Sequence, residues 1–161
     1  MSEPDSLDRR FGRRLRGAVD RIPGGRGAAC AASDALAPVF EALVASLLVR
    51  QSGRRAGVEA LTSGVGAATG ALLLRRRIGR RRPGGRPDGA FPSRHAAAAV
   101  AIACAVGRCR PQLRPWLAVV ACAGLIGRVV DGQHDPADIA GGAILGWAVD
   151  AAVARLPGDG R

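Results

Sequence analysis

The sequence contains no lysine and no tyrosine, and it has few side chains that stack on nucleic-acid bases. All 24 basic residues are arginine against 13 acidic residues, which gives a net charge of +11. Aromatic residues make up only 3% of the chain. Proteins that bind single-stranded nucleic acid combine basic grooves with aromatic stacking platforms, so we expect no nucleic-acid partner. The positive excess favours phosphate-bearing ligands and anionic membrane lipids.

Long apolar runs without a charge are also missing, although hydrophobic residues make up 48% of the chain. An unambiguous spanning helix needs roughly 18 to 20 consecutive apolar residues, and no charge-free run here is that long. The mean hydropathy is only +0.10, because arginine-rich segments alternate with apolar ones. Several shorter apolar segments taken together therefore predict a multi-pass protein of the cell membrane.

Metal-binding spacings and a secretory leader are absent from the sequence as well. The four cysteines form no Cys-x2-Cys pair, so we expect no zinc site and interpret them as small buried residues. The chain opens with Glu3, Asp5 and Asp8 and continues into arginines. A cleavable signal has a basic start and an apolar core instead, so none is expected.

Apolar segments predict a succession of helices, at 28–49, 56–74, 96–107, 116–130 and 137–154. We expect an all-α, polytopic membrane bundle in which four or five of these helices span. The first segment carries Asp34 and Glu41, so it either spans or lies partly at the interface. Residues 28–156 are the predicted membrane domain and 157–161 a polar tail. Residues 1–27 predict a basic amphipathic helix on an anionic bilayer, or a flexible basic tail.

Polar residues cluster in three places between these segments, and the only two histidines lie in the second and third clusters. The clusters are Arg75 to Arg82-Pro83, then Pro92-Ser93-Arg94-His95, then Arg128 through His134 to Asp138. Ser93 and Asp135 are favourable N-caps, so each histidine falls at the start of a predicted helix. Helix N-termini and guanidinium groups both bind phosphate, which indicates a phosphate site.

The spacings Arg75-x6-Arg82-Pro83, Pro92-Ser93-x-His95 and Arg128-x5-His134-x3-Asp138 resemble the three signature motifs of the type 2 phosphatidic acid phosphatase superfamily. That superfamily includes lipid phosphatases and vanadium haloperoxidases. The resemblance implies that His134 attacks phosphorus to form a phosphohistidine, while His95 protonates the leaving oxygen and then activates water. It implies no metal and no cofactor.

The remaining site residues follow from the same motifs. The implied substrate-binding residues are Arg75, Arg82, Ser93, Arg94 and Arg128. Asp138, four residues after His134, is placed to accept a hydrogen bond from one imidazole nitrogen. The same aspartate also fits a plainer role, as a first-turn acid that stabilises the helix dipole. Asp135 is interpreted as a helix cap.

Three positions depart from the superfamily pattern. Arg75 stands where a lysine is usual, which preserves the charge and adds a planar fork. Arg94 stands where a glycine is usual, so it either adds a guanidinium group to the site or points outward. Gly127 stands where a serine is usual, and it removes one hydroxyl donor.

The predicted function is that of a metal-independent membrane phosphatase acting on a lipid phosphate monoester. Phosphatidic acid, phosphatidylglycerophosphate and polyprenyl-phosphate types all fit, including substrates like decaprenylphosphoryl-5-phosphoribose. The alternative is a non-catalytic membrane protein that binds anionic lipid through its arginine-rich loop. Arg94 and Gly127 are the features that favour this alternative.

Overall fold

The computed structural model describes residues 7–79 and 89–156, and these residues form α-helices without any strand. The helices are α1 (Leu7–Asp20), α2 (Gly25–Val49), α3 (Arg54–Ile78), α4 (Arg94–Cys109), α5 (Arg114–Val130) and α6 (Pro136–Val153). Short 3-10 turns at Gln51–Gly53 and Pro111–Leu113 join α2 to α3 and α4 to α5. The all-α prediction is confirmed, and the five predicted helices correspond to α2 through α6.

Three stretches are long and apolar enough to cross a membrane: Gly25–Val49, Gln51–Ile78 and Pro111–Val130. They make the chain a multi-pass membrane protein, as the alternating apolar segments predicted. Within the described residues, three helices meet this criterion, whereas four or five spanning helices were expected. α4 has 16 residues, or about 24 Å at 1.5 Å per residue, which is shorter than the roughly 30 Å hydrocarbon core.

α2 is one continuous helix that buries a single stripe of its surface. Leu36, Phe40, Val44 and Leu47 recur every three or four residues on the buried side, as expected for one face of a helix. This stripe packs mainly on α5. The segment 28–49 therefore forms one long helix, and its other faces expose apolar side chains such as Val39.

α4 lies at the centre of the bundle, packed on α3 and α6. Its small side chains allow neighbouring backbones to approach closely, most of all at two glycines of α6. A Cβ atom at Gly142 would lie 2.4 Å from the Ser93 carbonyl oxygen, and one at Gly146 would lie 2.2 Å from that of Ala97. Only glycine fits at such distances, so α6 is pressed against the start of α4.

The end of α3 differs from the prediction that Arg75 would terminate this helix. The helix continues to Ile78, and Gly79 ends it with a φ of 64° and an N–H that donates to the Arg75 carbonyl. Arginine is a good helix former, and cations in the last turn interact favourably with the helix dipole. Arg75 therefore lies on a helix and not in a loop.

α1 lies within the segment predicted as a basic amphipathic helix, and it packs against α5, α6 and α2. Gly12 is its buried residue, and a Cβ atom there would lie 3.4 Å from the Cδ atom of Pro136. Leu7 and Phe11 remain exposed. A role for these side chains at a bilayer surface stays a prediction.

Candidate active site

The second and third polar clusters meet where α4 and α6 begin. The Ser93 N–H donates to the Asp138 carbonyl oxygen at 2.9 Å. The buried Ser93 hydroxyl oxygen accepts from the Ala96 N–H at 3.4 Å, which caps α4 as predicted. Both helix starts, each with its histidine, are therefore joined directly, and Ser93 is a structural link between them. Its role in binding substrate stays a prediction.

His134 is completely buried in the turn that precedes α6. Its backbone N–H donates to the Arg128 carbonyl oxygen at 3.3 Å. Its Nδ1 atom lies 3.5 Å from the Oδ2 atom of Asp138, which is also fully buried. Contacts within one short turn therefore fix both the backbone and the ring of this histidine.

Asp138 has two partners at once. Its Oδ2 atom accepts the Asp135 N–H at 3.0 Å, and the Asp135 side chain in turn accepts from the backbone at position 138, which completes a capping box. The same Oδ2 atom faces the His134 ring. The two interpretations of Asp138, as a first-turn acid and as a partner of His134, are therefore compatible.

Arg128 is 7% exposed near the end of α5, and neighbours from two elements orient its guanidinium group. Nη1 donates to Gln133 Oε1 at 2.7 Å, and Nη2 donates to the Ser33 carbonyl oxygen of α2 at 3.3 Å. Gln133 also donates to the Asp131 carboxylate. A buried guanidinium group held in this way presents a fixed positive charge.

His95 lies in the first turn of α4, outside the three candidate spans, and is half-buried. Burial lowers the pKa of His95 below its ordinary value. The charges that lower this pKa further belong to Arg128, Arg94, His134 and Arg75. The hydrogen bond between Ser93 and Asp138 joins the second and third motifs at this end of the bundle. The convergence of the two imidazoles with the arginines in one pocket stays a prediction.

Of the other predicted arginines, the structure describes Arg75 and Arg94. Arg75 donates from Nη2 to the Pro92 carbonyl oxygen at 3.2 Å, which ties the end of α3 to the residues before α4. Arg94 is exposed at the first position of α4. Arg82 lies outside the residues that the structure describes, so the first motif is placed by Arg75.

A groove of about 380 Å³ runs between α2, α3 and α4 from the site toward the middle of the bundle. Arg94 and His95 line the end of the groove nearest the start of α4, since both belong to the first turn of that helix. Apolar side chains form most of its walls, among them Leu36, Phe40, Val65, Leu72 and Ile102, and Glu41 and Thr69 also line it. The groove therefore joins an apolar path to a polar end.

α1 contributes contacts to this end of the molecule that the sequence pattern did not indicate. Asp8 Oδ1 accepts the Ala137 N–H at 2.8 Å, in the first turn of α6. Arg9 Nε lies 3.8 Å from Asp135 Oδ2, and Arg16 donates to the Val129 carbonyl oxygen at 3.0 Å. Asp8 and Ala137 are 129 positions apart, and no local pattern links residues so distant.

The cysteines differ from their prediction as buried residues. Cys122 is exposed and the other three are half-buried, all with free thiols. Cys30 and Cys109 lie beside carboxylates, 3.8 Å from Asp131 Oδ1 and 3.7 Å from Glu59 Oε2. Within residues 7–79 and 89–156, no three His, Cys, Asp or Glu side chains are arranged to hold a metal ion.

The fold and the site define a class: an all-α, multi-pass membrane protein with two histidines and several arginines gathered at one end of its bundle. A family model described as the PAP2 superfamily matches residues 56–160. The chain belongs to the PAP2 superfamily, which confirms the resemblance seen in its motifs. Membership implies phosphatase activity on lipid phosphates.

A solved structure shows the same fold. It is the crystal structure of a transmembrane PAP2-type phosphatidylglycerolphosphate phosphatase from Bacillus subtilis. The two chains share 21% sequence identity with a TM-score of 0.58, over 89% of this chain and 90% of the other. No curated protein matches the sequence at a significant level.

Proposed function

We propose that the chain hydrolyses the phosphate monoester of a membrane lipid through a phosphohistidine formed on His134. The observation that carries this proposal is the apolar groove of about 380 Å³ that ends at His95. A lipid chain in the groove brings its phosphate among Arg75, Arg94 and Arg128. A water-soluble phosphate ester has no acyl chain to occupy such a groove.

Binding the phosphate is the first task of the site. Arg75 and Arg128 enter it from the ends of α3 and α5, and guanidinium groups bind phosphate oxygens through paired, charge-assisted hydrogen bonds. The N-termini of α4 and α6 add their dipoles at the same end. This fixed positive field stabilises the charge that spreads over the phosphoryl oxygens in the transition state.

Attack on phosphorus falls to His134. Asp138 lies beside Nδ1 at 3.5 Å and holds the proton there, which leaves the lone pair of Nε2 to form the nitrogen–phosphorus bond. The bond between phosphorus and the lipid oxygen breaks as this bond forms. The product of the step is a phosphohistidine and a lipid alkoxide that needs a proton.

His95 supplies that proton and then takes one from water. A phosphate dianion bound beside His95 favours the protonated form of its ring, which then donates to the leaving oxygen. After the lipid leaves, the neutral imidazole activates a water molecule that hydrolyses the phosphohistidine. Inorganic phosphate is released, and both histidines return to their starting states.

We further propose that α4 and α6 lie in the membrane with the three longer helices, which gives five crossings. α4 is surrounded by α3, α5 and α6, so lipid reaches little of it and its short length is tolerated. An even number of crossings then separates the three motifs, which keeps them on one membrane face.

The test uses the full chain purified in detergent with EDTA present. Phosphatidic acid, phosphatidylglycerophosphate and a polyprenyl phosphate are offered separately, and released inorganic phosphate is measured. We expect wild type to hydrolyse at least one of them and His134→Ala to lose that activity, while Cys122→Ala, at an exposed thiol outside the site, keeps it. Wild type that binds these lipids but releases phosphate from none would establish the lipid-binding alternative instead.

A further inference from the structure

A second groove lies between α4, α5 and α6, toward the end of the bundle away from the two histidines. Its volume is about 860 Å³. α5 and α6 both pack on α4 but make few contacts with each other, so α4 forms the floor and the other two helices form the walls. The lining is mostly apolar, with Val100, Leu117, Ala121, Leu125, Ala143 and Trp147 among its side chains.

Three arginines lie at the far end of this groove: Arg108 of α4, Arg114 of α5 and Arg155 in the turn after α6. One of them, Arg108, is already neutralised. It pairs with the buried Asp150 carboxylate and lies 3.3 Å from Glu59 Oε2. Asp150 Oδ1 also accepts from the Ser63 hydroxyl at 3.0 Å. Glu59 also pairs with Arg55 at 3.0 Å, so two guanidinium groups balance the two carboxylates beside the groove, and these do not repel an anion.

The other two arginines leave a positive excess at the mouth. Arg114 donates from Nε to the Gly107 carbonyl oxygen at 2.8 Å, and Arg155 donates from Nη1 to that of Ala151 at 2.7 Å. Both side chains are exposed, and neither forms an ion pair with a described residue. Each guanidinium group is thus oriented by a backbone carbonyl and keeps further N–H donors for a ligand.

We infer that this groove binds one anionic glycerophospholipid, with an acyl chain between α5 and α6 and its headgroup phosphate on Arg114 and Arg155. The positive charge at the mouth of the groove and the depth of the groove together indicate such a lipid. From Arg114 to Leu125 the groove follows α5 for about 16 Å at 1.5 Å per residue. This matches half of the roughly 30 Å hydrocarbon core, or one leaflet. Trp147, 62% exposed on the groove wall, supplies an aromatic contact for the chain.

The site is separate from the proposed catalytic chemistry, and its test uses a lipid that is not a substrate. Phosphatidylserine carries an anionic headgroup but no terminal phosphate monoester. Protein reconstituted with equal amounts of phosphatidylserine and phosphatidylcholine is released into the gas phase, and retained lipids are counted by native mass spectrometry. We expect wild type to retain one phosphatidylserine in preference to phosphatidylcholine.

Two matched double variants identify where that lipid sits. Arg114→Gln with Arg155→Gln should lower phosphatidylserine retention about tenfold, the effect of a lost charge-assisted contact. Arg50→Gln with Arg54→Gln removes two exposed arginines at the same end of the bundle but outside the groove, and should retain the lipid. Equal retention by the two double variants, or equal retention of phosphatidylcholine by wild type, would overturn the inference.

Native thiols give a second readout in intact vesicles. Cys104 and Cys122 line the groove, whereas Cys30 lies near Asp131 on the histidine side. Phosphatidylserine should slow alkylation of the first two thiols in wild type, leave Cys30 unchanged, and protect nothing in the Arg114 and Arg155 double variant. Protection that rises with protein concentration and not with phosphatidylserine would show that a second copy fills the groove, which would also overturn the inference.

Discussion

The two histidines begin from the same local arrangement and end in different surroundings. Each lies next to an N-cap at the start of a helix rich in small residues, with Ser93 before His95 and Asp135 after His134. His134 is fully buried and lies against Asp138. His95 is half-buried and opens onto the groove between α2 and α3. The difference arises both from the local partner Asp138, four residues after His134, and from the packing of the helices around each ring.

This contrast suits two steps of one reaction. A nucleophile must present one nitrogen in a fixed direction, because small errors in position slow attack strongly. A proton donor must reach a leaving group and afterwards a water molecule, so it needs access to the path by which the lipid departs. The buried histidine fits the first requirement and the groove-facing histidine fits the second.

The largest expected effect separates these roles by the leaving group. His134→Asn and His95→Asn should each lower hydrolysis of a lipid phosphate. In His95→Asn, the missing general acid and base should cost about 10²- to 10⁴-fold in rate. With 4-nitrophenyl phosphate the leaving phenolate needs little protonation. His95→Asn should then release one equivalent of phenolate rapidly and turn over slowly, because the phosphohistidine forms but its hydrolysis lacks a base.

Rapid-quench measurement of phenolate and acid-labile phosphoprotein checks this prediction. His134→Asn is the matched control and should show neither a burst nor a phosphoprotein. A burst in the His134 variant that is missing in the His95 variant would exchange the two roles. A missing burst in both, with wild type active, would contradict a covalent intermediate on either ring.

A smaller effect should follow from loosening the buried histidine alone. Asp8→Asn weakens the contact of α1 with the Ala137 N–H, beside the turn that holds His134. Caps of this kind contribute about 0.5 to 2 kcal/mol, so we expect about a 2- to 30-fold lower rate of phosphohistidine formation. The loss should be equal for lipid and aryl substrates, with little change in KM.

Asp20→Asn is the control for this prediction. It changes the same charge on the same helix, but Asp20 pairs with Arg26 at an exposed position. A similar loss in both variants would mean that α1 acts through its net charge. A loss confined to the lipid substrate would mean that α1 affects lipid access and not the position of His134.

The sequence predicted what depends on local pattern. Apolar segments located α2 through α6, and the N-cap residues placed both histidines at helix starts. The join between Ser93 and Asp138 was implied only through the motifs, since it depends on Gly142 packing against the Ser93 carbonyl oxygen. The amino-acid composition does not predict which backbones approach each other closely.

What the sequence could not indicate arises from contacts between distant segments. The sequence of α1 is typical of a surface helix. The contact of Asp8 with the Ala137 N–H of α6 becomes visible only in the structure. The apolar run Leu72-Leu73-Leu74 is followed by three arginines, which predicted a helix end at Arg75, although arginine is itself a good helix former. Three helices form the groove beside His95, so no single segment of the sequence predicts it.

The smallest effect on the chemistry is expected from restoring the serine that the superfamily has at position 127. A Cβ atom at Gly127 would lie 2.2 Å from the Ala29 carbonyl oxygen and 3.1 Å from the Ser33 Cβ atom. Gly127→Ser must therefore push α2 away, and overpacking of this kind costs about 1 to 3 kcal/mol. Thermal unfolding in detergent should show the loss, with Gly27→Ser, where a Cβ atom meets open space, as the control.

The same substitution tests how far the two histidines are independent. α2 lines the groove beside His95 through Leu36 and Phe40, whereas His134 lies in the turn before α6 and Asp138 in the first turn of that helix. Displacing α2 should raise KM for a lipid phosphate and leave the burst rate with 4-nitrophenyl phosphate nearly unchanged. Faster hydrolysis by Gly127→Ser would mean that the missing hydroxyl limits the reaction. An equal loss on both substrates would mean that α2 also sets the position of His134, through the Ser33 carbonyl oxygen that orients Arg128.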